Sequence, residues 1–405
     1  MFDFLRRRRI YLDYASTTPV SSVAIHAMRE TEKITGNPSS IHYEGVQSSR
    51  SLENSRTKIA RELGCKAREI IFTSGITESN NLAILGLARK LELEGTGLAS
   101  THWIVSSIEH ASVLECFSEI ERMGGKISYA DPDARGIILP ESVANLLRIE
   151  TVCVSIGWAN NEIGVVEPMS SIARMLRAHE ERNGTRVVFH SDAGQAPLYL
   201  SPHVHTLGVD VFSLGASKLY GPHGVGCLYV NSRAEIAPII LGGSQERGLR
   251  AGTENVSLAA GFAAALEETR REREREAKRL KKMRDDFARE IVAHISGAIV
   301  NGDISSGGGY ASGGRHCLPH ILNISIPKIN AEYAVLAFDR AGISLSTKSA
   351  CKAGETVSHV VEALGGNGWR AGNTLRFSMG RGTTQRALNK ALKALLSIVP
   401  ASQSR

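Results

Sequence analysis

Apolar residues along this chain fall into two alternating rhythms. Short runs rich in Val, Ile and Phe occupy 69–73, 103–107, 151–156, 186–190, 209–213 and 226–230, and read as strands. Between them apolar positions return at helical spacing, as with Val113, Phe117 and Ile120 in 111–123 and with Ile172, Met175 and Leu176 in 170–181. Strands alternating with amphipathic helices predict an α/β fold: a mixed, mostly parallel sheet flanked by helices.

From about residue 253 the rhythm becomes a single helical pattern reaching residue 294, apolar at first and then carrying the run RREREREAKRLKK. Such a run predicts a solvated helix face on an element long enough to bridge a large domain and a smaller one. Beyond it the pattern predicts strands at 320–326, 343–347 and 373–378 and helices at 330–341, 358–364 and 383–399. The last helix places Leu388, Leu392, Leu395 and Val399 on one face. The Gly/Ser-rich stretch 304–314 reads as a surface loop. The expected division is a large domain over 16–260 and a smaller α+β domain formed by 1–15 and 261–405.

Composition narrows the class without naming a function. With 405 residues, 42% hydrophobic and 22% charged, the chain is neither disordered nor a small disulfide scaffold. Its net charge of +7 owes much to the arginines at 6–9, which predicts no nucleic-acid partner. No stretch reaches the roughly 18 apolar residues of a membrane span. Six cysteines lie far apart with no C-x-x-C pair, which predicts reduced thiols and a cytoplasmic setting.

Five places carry candidate chemistry. In EIIFTSGITESNN a strand turns through Ser74 and Gly75 into a helix opening at Thr77 and Glu78, and a helix N-terminus behind a Gly suits a phosphate. In FHSDAGQ the strand 186–190 delivers Asp192 and Gln195 just past its carboxyl end. Lys218, after small residues and before Gly221 and Pro222, has room beside it for a bulky cofactor and a Schiff base. Cys351 lies in a polar stretch between Lys348 and Lys352, which favour its thiolate, whereas Cys153 sits in an apolar strand. Arg376 lies in an otherwise apolar strand and requires an anionic partner, either a substrate carboxylate or a structural one.

Taken together, YLDYASTTP, GNPSSIH, FTSGITESNN, EHASVL, ANNEIGVVEP, HSDAGQ, SKLYGPHGVG, GGSQERGLRAGTENV, SAC and LRFSMGRGTT occur in the order found in cysteine desulfurases. The resemblance spans about residues 10–398 and is closest to the iron–sulfur-cluster-assembly branch of these class-V, fold-type-I pyridoxal-phosphate enzymes. It implies that Lys218 tethers pyridoxal 5'-phosphate, that Asp192 faces the ring nitrogen, and that His110 stacks on the ring and helps move protons. Gln195 resembles the residue bonding the phenolic oxygen. Gly75, Ile76, Thr77 and Ser217 match the phosphate cradle, and Thr253 a phosphate contact from a neighbouring subunit, hence a homodimer. Asn161 resembles a residue near both cofactor and substrate, with Arg376 and Asn37 joining it at the substrate.

The implied reaction converts L-cysteine to L-alanine and leaves a persulfide on Cys351 for a sulfur-acceptor or iron–sulfur scaffold protein. No resident metal is implied, although Cys351 could ligate iron transiently during hand-over. Two departures stand out. Gly215 and Ser217 replace the Ser and His that usually precede the tethering Lys, which predicts weaker cofactor binding, and KAGETV after Cys351 differs from the commoner pattern. Alternatives on the same residues are a selenocysteine lyase or another β-lyase, and a non-catalytic, desulfurase-like binding protein.

Overall fold

The protein is described from a computed structural model covering residues 9–303, 317–347, 357–365 and 368–399. Its centre is a sheet of seven strands among the described residues. In spatial order these are Ile70–Thr73, Gly226–Val230, Val211–Gly215, Val188–Asp192, Thr151–Ser155, His102–Ser106 and Lys126–Ala130. The last five pair parallel, while Gly226–Val230 runs antiparallel to both of its neighbours.

Adjacent residues of a strand point to opposite faces, and the two apolar layers divide accordingly. Ile71, Val188 and Val211 pack under the helices Ile76–Leu93 and Ala111–Arg122, with Leu82, Leu87, Val113 and Phe117. Ile70, Phe189 and Phe212 face the other layer, which includes Leu176 of Met169–Asn183 and Phe262 and Leu266 of Val256–His294. Burial on both faces is why these strands read as apolar runs rather than as alternations.

A smaller sheet pairs Thr374–Ser378, Ile321–Ser325 and Ile299–Val300 antiparallel. Beside it the N-terminal strand Ile10–Tyr11 runs parallel to Ile343–Ser344. The following residues then cross toward the large sheet, where the Thr18 amide donates to the Ser217 carbonyl at 2.9 Å.

Several expectations are corrected. Two strands lie two residues later than the apolar runs suggest, so Asp192 is the last residue of its strand, opposite Ser213, and not beyond it. The strand expected over 343–347 is only Ile343–Ser344, because its partner strand is equally short. The edge strand Lys126–Ala130 was not foreseen; Lys126 and Tyr129 are exposed, so it lacks the apolar run of a central strand. The charge run on the long helix is not uniformly solvated. Glu276 is buried, Arg273 donates to the Pro197 carbonyl, and Arg279 donates to the carbonyls of Gly380 and Thr383. Cys153 lies in the core as expected, and burial pushes its thiol up.

Candidate active site

Parallel strands place their carboxyl ends, and the turns that follow, on one edge of the sheet. Here those turns enclose a cavity of about 340 Å³. It is lined by Gly75, Ile76, Thr77, His110, Asn161, Asp192, Gln195, Ser217, Lys218 and Arg376, so ten residues separated by up to 301 positions (376 − 75) meet in one place. Thr253 lies instead in a neighbouring cleft with Ser74 and Arg250. Asn37 lies outside the cavity, exposed, its side chain accepting from the Ser39 amide. Cys351 and its flanking lysines fall outside the described residues.

At one end, Ile70–Thr73 passes through Ser74 and Gly75 into the helix Ile76–Leu93. Gly75 has φ +155°, and a Cβ on Gly226 would meet the Gly75 backbone at 2.7 Å, so both positions require glycine. First-turn amides have no acceptor within their own helix. Ser74 N–H is taken by the Glu78 carboxylate at 2.8 Å, and Arg250 holds that carboxylate in turn. Burial works against ionisation of Glu78, but Arg250 and the Ser74 bonds prevail and hold its carboxyl below the ordinary range. Ile76 and Thr77 open the helix at the cavity wall, and their amides belong to this first turn.

Gly215 closes this end. A Cβ there would lie 2.6 Å from Ile76 Cγ1 and 3.0 Å from its Cδ1, so the space a serine side chain would need is filled by Ile76. The departure noted in the sequence is therefore matched by a bulky neighbour. Gly215 and Ile76 act as a pair.

Lys218 ends the short 3₁₀ turn Ala216–Lys218 that follows the strand Val211–Gly215. Its Nζ donates to the Ala15 carbonyl at 3.0 Å and to the Ser16 carbonyl, and Gln195 Nε2 donates to the same Ala15 carbonyl at 2.8 Å. The N-terminal crossing segment thus supplies acceptors that hold both side chains.

Asp192 accepts from the Gly194 amide at 2.8 Å and from Asn80 Nδ2 at 2.7 Å. His110 is the N-cap of its helix, with Nδ1 accepting from the Ser112 amide at 3.1 Å. Burial lowers its basicity, and Asp192 opposes that. The preceding residue, Glu109, is buried at the cavity wall and accepts from the Gly157 amide at 2.6 Å. Burial pushes its carboxyl up to about 8 against that bond, with the charge of Asp192 adding. Glu167, also at the cavity, is pushed well up by burial.

Arg376 sits in the middle of Thr374–Ser378 and is 1% exposed. Its guanidinium donates to Asp13 Oδ1 and Ser16 Oγ, both at 2.8 Å, and to the Asn161 carbonyl at 3.1 Å. The anionic partner demanded by the sequence is therefore present within the chain, and the guanidinium also borders the cavity.

The two ends of the undescribed segment 348–356 are fixed near this cavity. Ser346 pairs through its backbone with Arg376. On the far side Ser358 Oγ bonds Glu162 Oε2 at 2.6 Å, and His359 Nε2 bonds the Glu109 carbonyl at 3.1 Å.

Residues that the sequence left unremarked include Asn80, Ser112, Glu109 and the acceptors at 13–16. All lie in the ordered motifs, but apart from the local His110–Ser112 and Asp13–Ser16 contacts they depend on burial or on partners 32 to 363 positions away, and no spacing rule reports either. Among the described residues, no group of three or more His, Cys, Asp or Glu could hold a metal ion. No described helix is long and apolar enough to cross a membrane.

Comparison with known proteins agrees with this geometry. The aminotransferase class-V family profile matches residues 10–390. The chain is 39% identical over 396 residues to the cysteine desulfurase IscS of Dictyoglomus turgidum, covering 97% of this chain and 95% of that one. It is 36% identical over 393 residues to cysteine desulfurase IscS 1 of Archaeoglobus fulgidus, covering 96% of each. Among solved structures, a NifS-like protein superposes with a TM-score of 0.84 at 31% identity, over 96% of this chain and 99% of that chain. SspA in complex with cysteine gives 0.76 at 32%, over 91% and 98%.

Proposed function

The chain belongs to the aminotransferase class-V family, and on that premise we propose that it is a pyridoxal-phosphate-dependent cysteine desulfurase that passes sulfur through Cys351. Its architecture is that of fold type I, and the family uses pyridoxal 5'-phosphate.

The residues present suit that cofactor. The cavity offers a primary amine at Lys218, a carboxylate at Asp192 for a protonated ring nitrogen, an imidazole at His110, an amide at Gln195, and first-turn amides at Ile76 and Thr77 for a phosphate. Bound there, the cofactor supplies an electron sink for negative charge at the substrate α-carbon.

The chain's own groups then have separable tasks. The Lys218 amine is the base for the α-proton, since its position at the cavity serves both tether and proton transfer. Asp192 would accept from a protonated ring nitrogen of the bound cofactor. Arg376, already oriented by Asp13, directs the substrate carboxylate together with Asn161. The carbon–sulfur bond of cysteine breaks and the Cys351 thiolate takes the sulfur, forming the persulfide's S–S bond. The carbon takes up a proton and leaves as the methyl of L-alanine.

The observation that carries this reading is the single cavity joining Lys218, Asp192 and His110, with both flanks of the Cys351 segment fastened beside it. Thr253 stands apart from it, which supports a homodimer in which Thr253 completes the partner's phosphate site; a substrate role for Asn37, which is exposed, belongs to the same reading. Division into a cofactor-holding domain (16–260) and a domain carrying Cys351 and Arg376 (1–15, 261–405) belongs to the same reading. So do a cytoplasmic setting and an acceptor or iron–sulfur scaffold protein as recipient.

Borohydride treatment of the cofactor-loaded protein, followed by peptide mapping, is expected to label Lys218. Cys351→Ala is expected to keep the cofactor's colour and lose persulfide formation from cysteine. Label on another lysine, or undiminished persulfide in that variant, overturns the assignment. Alanine release measured with cysteine and selenocysteine side by side separates the desulfurase from a selenocysteine lyase.

A further inference from the structure

In the wall of the cavity, a partly buried chain of hydrogen bonds connects His110 to Asp192. Asn80 lies on the helix Ile76–Leu93 and is wholly buried. Its Nδ2 donates to Ser112 Oγ at 2.9 Å and to Asp192 Oδ2 at 2.7 Å. Ser112 Oγ in turn lies 2.9 Å from His110 Nδ1, and the Ser112 amide lies 3.1 Å from the same nitrogen.

The direction of each bond follows from donor and acceptor chemistry. A backbone N–H can only donate, so His110 Nδ1 must present its lone pair. The two hydrogens of the Asn80 amide are committed to a hydroxyl oxygen and a carboxylate oxygen. With Asn80 donating to it, the Ser112 hydroxyl directs its own hydrogen to His110 Nδ1. Every donor in the chain points toward one of its two ends.

We propose that Ser112, oriented by Asn80, is a positioning residue that locks His110 as the neutral tautomer protonated on Nε2, so that His110 presents a hydrogen-bond donor to the cavity and not a free base. The same Asn80 amide holds Asp192 as an acceptor. One buried side chain therefore joins two cavity groups and leaves His110 Nδ1 and Asp192 Oδ2 both as acceptors. Protonation at Nδ1 would place an N–H against the fixed Ser112 amide, and rotation of the hydroxyl could relieve only one of the two conflicts. Other ionisable groups around His110 are Lys218 and His359, which also disfavour its charge, and Asp192 and Glu162, which favour it. These act through space on either nitrogen, whereas the Ser112 chain acts on Nδ1 alone.

Lys218 is thereby left as the base of the site. That consequence rests on the desulfurase reading; the tautomer does not, because it is a property of the chain before any cofactor is bound.

The test is nitrogen-15 NMR of histidine-labelled full-length protein, with and without pyridoxal phosphate, the His110 signals being assigned from a His110→Gln sample. In the wild type, Nδ1 is expected to give the signal of an unprotonated ring nitrogen and Nε2 that of a protonated one. In Ser112→Ala, which loses the hydroxyl donor and keeps the amide, a fraction protonated on Nδ1 is expected to appear beside the Nε2 form and the titration midpoint to move upward. Ser112→Thr, which restores the hydroxyl, is expected to return both to wild type. Circular dichroism checks that each variant is folded. A wild-type spectrum dominated by the Nδ1-protonated form, or a folded Ser112→Ala protein indistinguishable from wild type, overturns the proposal. If Ser112→Ala does not fold, the wild-type tautomer and the Thr variant still decide it. Loss of alanine release with an unchanged tautomer counts against the lock without touching the desulfurase reading, and the reverse result separates them the other way.

Discussion

The two sides of the cavity are built on different principles. On the large-sheet side, Gly75, Ile76, Asp192 and Lys218 sit at strand ends or in the turns that follow, and the backbone there sets their positions, with the Lys218 amine and the Asp192 carboxylate held further by distant partners. On the small-sheet side, Arg376 projects from the middle of a strand. It is held by Asp13 and Ser16, 363 and 360 positions away. Residue positions on the first side come from strand–turn–helix units, while the second side exists only once the N-terminal segment has crossed between the sheets. Damage to the first should therefore be local, and damage to the second should reach the whole packing.

The largest effect is expected from Asp13→Ala. It removes the carboxylate from a guanidinium that is 1% exposed, and breaking a pair of this kind costs about 3 kcal/mol or more. Urea denaturation should show a lower midpoint, and the KM for cysteine should rise as Arg376 loses its orientation. A stability unchanged from wild type would mean that the crossing segment does not hold Arg376.

A smaller and more local effect is expected from Gly215→Ser. The added side chain must displace Ile76, which costs about 1–3 kcal/mol for an overpacked site. The double variant Gly215→Ser with Ile76→Ala should recover thermal stability and bind pyridoxal phosphate at least as tightly as wild type. If the double variant is no better than the single one, the two residues are not a compensating pair.

A third effect is a change of pH dependence. Glu109 has its carboxyl raised to about 8 in the folded chain, above its unfolded value, so the folded state holds the extra proton between the two. Its contribution is full below the unfolded value and is lost as pH rises through about 8. Glu109→Gln keeps an acceptor for the Gly157 amide and removes the titration, so the decline in stability across that window should be shallower. Melting temperatures of both proteins from pH 5 to about 9 would show it, and parallel curves would mean that Glu109 does not hold this proton.

Legibility in the sequence follows the same division. The strands were visible because central strands buried on both faces must be apolar, and Gly226–Val230 begins and ends where the pattern places it. Lys218, Asp192 and the Gly75 turn were visible because each departs from an apolar run at a strand end. Arg376 was visible as a charge in an apolar strand, but whether its partner was a substrate or another residue was not. Glu109 and Asn80 drew no notice: enclosure of a carboxyl and an amide reaching a carboxylate 112 positions away are facts of packing, with no period or composition to announce them.

What the sequence determined by itself was the alternation that makes the sheet, the order of the motifs, and the residue types able to hold a phosphate, a ring nitrogen and an amine. Those depend on neighbours a few positions apart, and local spacing records them. Only the tertiary structure decided that Ile76 fills the room above Gly215, that Asp13 orients Arg376, and that Asn80 joins Asp192 to His110. Each of those depends on which distant atoms the packed core brings within bonding distance, and direction and proximity of that kind arise only when the chain has folded.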